Sequence, residues 1–212
     1  TDFVLCFDFG DDPSTFNGAG GLDPGRASKR SVTNTIGDAF QSTGYSGSTG
    51  TLDWQGAGFE VGDDASSTSG LVQQVFDNNE RTVRIGQAGG TTAVNTRLVR
   101  DLGDLSDYDS AFVNVTYRCS GLQSSGAVQV QVSPDGGGSW TTLTTISGCN
   151  NATQYSNEVI SLPPGSWDQD TRVRVIVSTA LPAGGYLYVD DIQFRFTSST
   201  TLSGPQLGSL AD

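Results

Sequence analysis

The chain has 212 residues, with 11 basic against 23 acidic side chains, a formal net charge of −12, and neither His nor Met. One Lys, Lys29, and ten Arg against 23 acids leave too little positive charge to neutralise a phosphate backbone, which excludes nucleic acid as a partner. Without His there is no Ser-His-Asp or Cys-His catalysis and no imidazole metal ligand, and no run approaches the roughly 18 apolar residues of a membrane span.

Helical periodicity is nearly absent. Short runs of alternating apolar and polar residues, separated by Gly, Ser, Asp and Asn, predict an all-β antiparallel sandwich. The first run, residues 3–9, is apolar on both faces, with Phe3, Leu5, Phe7 and Phe9 on one and Val4 and Cys6 on the other. Gly, Ser and Thr dominate from there to residue 50, so residues 1–50 are expected as a strand followed by an extended arm. Further strands are predicted at 71–76, 82–85, 92–102, 111–119, 127–133, 140–147, 155–162, 171–178 and 186–196. In the last, Tyr186, Tyr188, Ile192, Phe194 and Phe196 share one side by alternation, and Asp190 shares it with them. The compact unit is expected over 51–197, with 198–212 as a flexible tail. The chain opens at Thr1 without a Met or a basic-then-apolar leader, as a processed or excised chain would.

Three cysteines cannot all pair within one chain. A Cys119–Cys149 bridge would close a loop of about 30 residues and leave Cys6 as the odd thiol, a pairing the sequence leaves open. Three are too few for a four-thiolate zinc site.

An ordered set of motifs resembles the jelly-roll sandwich modules of large secreted bacterial surface proteins and exoenzymes, relatives of MAM-like and carbohydrate-binding-module-like sandwiches. It begins at Trp54 and the Gly58-Phe59-Glu60-Val61-Gly62-Asp63-Asp64 run. It continues through 81–85, 96–102, 112–122 and the hairpin 130–140, and closes on Tyr188-Val189-Asp190-Asp191-Ile192. In the hairpin, Asp135-Gly136-Gly137-Gly138 supplies residues tolerant of positive φ where two strands reverse. A shorter run, residues 8–16 (Asp8-Phe9-Gly10-Asp11-Asp12-Pro13-Ser14-Thr15-Phe16), resembles the opening of a repeat in giant bacterial surface proteins and reads equally as an acidic turn.

In such jelly rolls a last-strand Asp and an early Glu hold a structural Ca²⁺, so the resemblance implies Asp190 or Asp191 with Glu60 as ligands. A carboxylate turned toward a core is costly unless paired, hydrogen-bonded or bound to a cation, and calcium suits an acidic, His-free chain. The Asp63-Asp64 and Asp77-Asn78-Asn79-Glu80 clusters lack EF-hand spacing and are read as solvated turns. Modules of this shape also stack sugars on exposed aromatics, for which the loop residue Trp167 is the candidate platform, while Trp54 and Trp140 are assigned to the core.

The function expected is that of a non-catalytic, extracellular structural or adhesive subunit stabilised by Ca²⁺ and assembling into a homo-oligomer or fibre through the strand Phe3 to Phe9. The alternative is a carbohydrate-binding accessory module of a secreted protein.

Overall fold

The computed structural model describes residues 28–122, 125–149 and 153–202. Among them are eleven strands and no helix: β1 (Ser28–Asp38), β2 (Phe59–Val61), β3 (Val72–Asp77), β4 (Glu80–Gly86), β5 (Arg97–Gly103), β6 (Ser110–Ser120), β7 (Ala127–Ser133), β8 (Thr141–Ser147), β9 (Ser156–Ser161), β10 (Thr171–Thr179) and β11 (Tyr186–Leu202). One sheet has the order β3-β4-β11-β6-β9, with β1 also paired to β11, and the other β2-β5-β10-β7-β8. From β4 onward the chain crosses repeatedly between the two antiparallel sheets, which makes the fold a jelly-roll β-sandwich.

Alternation explains the core. Val128, Val130 and Val132 of β7 are aligned with Val177, Val175 and Val173 of β10, and all six turn inward. They join Val113 and Val115 of β6 and Ile192, Phe194 and Phe196 of β11 in one apolar cluster. Full burial of each such side chain stabilises the fold by roughly 1.5–3 kcal/mol. The turn after β7 behaves as its residue types dictate. Gly136 and Gly137 take positive φ, Asp135 accepts the Ser139 amide and hydroxyl at 2.8 Å each, and the Trp140 indole donates to the Gly137 carbonyl oxygen at 2.9 Å.

Two features depart from the sequence reading. The sandwich does not start at residue 51: β1 joins the first sheet, and Ile36, Phe40 and Tyr45 are buried in the core. The compact unit runs from Ser31 to Ser199, and a second unit comprises residues 1–30 and 200–212, of which 28–30 and 200–202 are described as strand ends. The second departure is a bulge in β11 between Val189 and Asp191. Leu187 and Val189 face inward before it and Ile192, Phe194 and Phe196 after it, so strict alternation fails across Asp190. Tyr186, Tyr188 and Asp190 therefore sit on the outer face rather than with the phenylalanines. Phe3 to Phe9, Cys6, the 8–16 motif and residues 203–212 lie outside the described residues.

A disulfide joins Cys119, near the end of β6, to Cys149, just beyond β8, with a Cα–Cα distance of 5.6 Å. It thereby ties one sheet to the connection leaving the other.

Candidate functional site

Because of the bulge, the centre of the first sheet presents a run of aromatic rings and guanidinium groups. Register sets them side by side: Tyr188 lies between Arg84 of β4 and Arg118 of β6, and Tyr186 is paired with Gly86 and Ser120. The Arg84 guanidinium lies 5.1 Å from the Tyr186 ring, Tyr186 is 5.9 Å from Tyr188, and Arg118 is 3.9 Å from Tyr188 and 5.9 Å from Tyr155. Arg118 is ion-paired with Asp77, whose Oδ2 also accepts the Tyr155 hydroxyl at 2.7 Å. Those hydrogen bonds from Arg118 hold the Asp77 carboxyl below the usual range, while burial and the bond to Asp77 push the Tyr155 hydroxyl up.

Unlike Asp77, several polar atoms on this face have no protein partner. Arg84 Nε, Asn114 Oδ1 and Asp190 Oδ1 are all buried without a hydrogen bond, on half-buried side chains of β4, β6 and β11. Burial pushes the Asp190 carboxyl up, with Glu80 and Asp77 adding to the effect. Three neighbouring strands thus carry polar atoms that no protein group satisfies.

The other sheet's outer face carries an aromatic–guanidinium contact of its own, and there Arg172 Nε is likewise buried without a hydrogen bond. The Arg174 guanidinium lies 3.9 Å from the Trp140 ring and donates to Gln131, and Gln131 donates to Gln129 and Thr142.

The acids expected as calcium ligands fall in separate places. Among the described residues one group of acids converges, Glu60 with Asp63 and Asp64, an oxygen of each lying within 4.8 Å of the others. Asp190 and Asp191 are not in that group. The charged neighbours that raise Asp190 are Glu80 and Asp77, and burial, Asp190 and Asp38 push Asp191 up to about 6. Asp38 itself is buried in an ion pair with Arg100, whose guanidinium also stacks 4.3 Å from the Trp54 ring. Trp167 packs half-buried against the core, and its indole N–H donates to the Tyr108 carbonyl oxygen at 3.1 Å.

No protein-family model and no curated protein matches the chain. Solved structures of similar fold include a family 61 carbohydrate-binding module in complex with β-1,4-galactotriose (15% identity over 58% of this chain and 81% of that one, TM-score 0.44). A family 29 carbohydrate-binding module complexed with cellulohexaose shares 10% identity over 81% of this chain and 93% of that one, TM-score 0.41. The Clostridium thermocellum xylanase 10B fragment, a family 22 carbohydrate-binding module joined to its family 10 catalytic module and complexed with xylohexaose, shares 11% identity over 76% of this chain and 28% of that one, TM-score 0.48. Likeness at this level concerns fold alone, and the fold rests here on the strand order.

Sequence reasoning did not single out the Tyr186–Tyr188 face. The alternation rule assigned both tyrosines to the core side, and a bulge has no signature in a run such as Tyr188-Val189-Asp190-Asp191-Ile192. The available signal was the apolar Leu187 and Val189 between them, which satisfy the opposite face equally well.

Proposed function

We propose that this chain is a non-catalytic carbohydrate-binding module of a secreted protein, and that its ligand lies across the outer face of the first sheet at Tyr186, Tyr188 and Tyr155. The observation that carries the reading is the series Arg84, Tyr186, Tyr188, Arg118, Tyr155, flanked by the partnerless Asn114 Oδ1 and Asp190 Oδ1. A sugar ring has apolar C–H faces and a rim of hydroxyls. Tyrosine rings match the former with little conformational freedom to lose, and guanidinium, amide and carboxylate groups match the latter. The Cys119–Cys149 bridge fits an oxidising, extracellular setting.

Isothermal titration against a panel of soluble plant and bacterial polysaccharides tests the proposal. Tyr188→Ala is expected to weaken binding roughly thirtyfold or more, the loss typical of an aromatic hot spot, and Tyr186→Ala to weaken it less. Trp167→Ala is expected to leave binding within about twofold. The proposal fails if no polysaccharide binds, or if binding survives Tyr188→Ala in folded protein and disappears with Trp167→Ala.

A further inference from the structure

The arginines of this acidic chain are unevenly neutralised. Arg100 is paired with Asp38, Arg118 with Asp77, and Arg172 with Asp101 and Asp170. Arg97 of β5 and Arg174 of β10 have no carboxylate within ion-pair reach among the described residues. Register brings these two together. Arg174 lies opposite Val99 and Arg97 opposite Ile176, so they are diagonal neighbours across one strand pair. Val173, Val175 and Val177 turn into the core, as does Leu98, and alternation sends Arg174 and Arg97 to the outer face of the second sheet.

Arg174 is held in place there. Its guanidinium lies 3.9 Å from the Trp140 ring, and its Nε donates to Gln131 Oε1 at 2.7 Å. Gln131 is fixed in turn by donating to Gln129 and Thr142 at 2.7 and 3.0 Å. Trp140 is half-buried and stands outside the core cluster to which the sequence assigned it, so its ring serves this face. Arg97 donates from Nη1 to the Asn95 carbonyl oxygen at 2.9 Å, which orients the side chain without neutralising it. Both arginines are half-buried, and burial followed by the charge of Arg97 pushes the Arg174 guanidinium below its ordinary value.

Two like charges side by side, partly withdrawn from water, repel each other. An anion between them removes that repulsion, and a carboxylate matches the flat fork of a guanidinium with two parallel hydrogen bonds. The amides and hydroxyl of Gln129, Gln131 and Thr142 beside the pair suit the hydroxyl rim of a sugar ring. An acidic peptide would be better served by backbone pairing at a sheet edge, whereas β5 and β10 are both interior strands.

We propose that Arg97 and Arg174, backed by Trp140, bind the carboxylates of an acidic polysaccharide, a polymer of uronic acids. The site belongs to the sheet opposite the tyrosine face and does not depend on what that face holds.

The full chain is titrated by calorimetry with oligomers of galacturonic acid and, separately, of alginate, in low salt with EDTA present. At least one is expected to bind, with an affinity that falls as NaCl is raised, because the contacts are charged and partly exposed. The methyl-esterified galacturonate oligomer, which lacks the charge, is expected to bind at least tenfold more weakly. Arg97→Gln and Arg174→Gln are each expected to weaken uronate binding roughly tenfold or more, with Tm as the control for folding. Arg174→Lys is expected to recover only part of the loss, since lysine keeps the charge and not the fork. Tyr188→Ala is expected to leave uronate affinity within about twofold. Folded parent that binds neither oligomer overturns the proposal, as does equal affinity for the methyl ester or full affinity in both Arg→Gln variants. Uronate binding lost with Tyr188→Ala and kept by both arginine variants would move the anion to the tyrosine face. Polyglutamate that binds as tightly as the uronates would identify a peptide-binding surface. Either of these last two results sinks the inference and leaves the tyrosine-face reading to its own test.

Discussion

Asp135 illustrates how one exposed carboxylate organises a turn. It accepts hydrogen bonds from the Ser139 amide, the Ser133 hydroxyl and the Ser139 hydroxyl, and these hold its pKa down to about 2. A carboxyl depressed in the folded state contributes stability above its unfolded value of about 4 and loses it as pH falls through the folded value. Asp135→Asn is therefore expected to lower Tm at pH 7, with the gap to the parent closing between about pH 4 and pH 2; a pH-independent gap in calorimetric scans would contradict this origin. The tendency of this segment to turn was legible in the residue types, because Asp and Gly are what positive φ and side-chain-to-amide bonding require. Asp190 was not legible in the same way. Its position follows from one inserted residue in the ladder, and nothing in its own chemistry or that of its neighbours marks where a strand slips. Glu60 was singled out only through the family resemblance, and its company was not legible. That Asp63 and Asp64 converge on it depends on a loop whose closure is fixed by the Leu71 and Val72 amides.

At the scale of elements, most strands follow from period-two patterning because each has one wet and one dry face. β1 escaped notice because its sequence, Ser28-Lys29-Arg30-Ser31-Val32-Thr33-Asn34-Thr35-Ile36-Gly37-Asp38, is polar nearly throughout. Its contribution is concentrated at one end. Ile36 is buried, Asp38 neutralises Arg100, the Trp54 indole donates to the Gly37 carbonyl oxygen at 2.8 Å, and Phe40 follows directly into the core. A chain beginning at Thr51 would leave Arg100 buried without its carboxylate, at a cost of about 3–5 kcal/mol. It would also forfeit three large core side chains worth roughly 2–5 kcal/mol each. Against a usual total of about 5–15 kcal/mol, that truncation is expected to be unfolded by circular dichroism and one-dimensional NMR, whereas a chain beginning at Ser28 is expected to fold. A cooperative melt from the shorter chain would show that β1 is dispensable.

For the whole molecule, the crossing pattern means that neither sheet is built from one continuous stretch of sequence, so a covalent tie between them restricts the unfolded chain effectively. With Cys119 and Cys149 separated by 30 positions, the chain-entropy model assigns the bridge about 3–4 kcal/mol. Replacing both by Ser is expected to lower the unfolding free energy from denaturant titration by a comparable amount without altering polysaccharide affinity, since the proposed sugar-binding face does not include the bridge; unchanged stability would place the tie among restraints the fold does not need. The same topology bears on how the chain is made. The partner recorded for β1 is β11, close to the far end of the domain. A polypeptide emerging amino end first holds β1 idle until β11 has been delivered, and only then completes that part of the ladder. Such an order of assembly delays commitment to the native state until the last strand has been made.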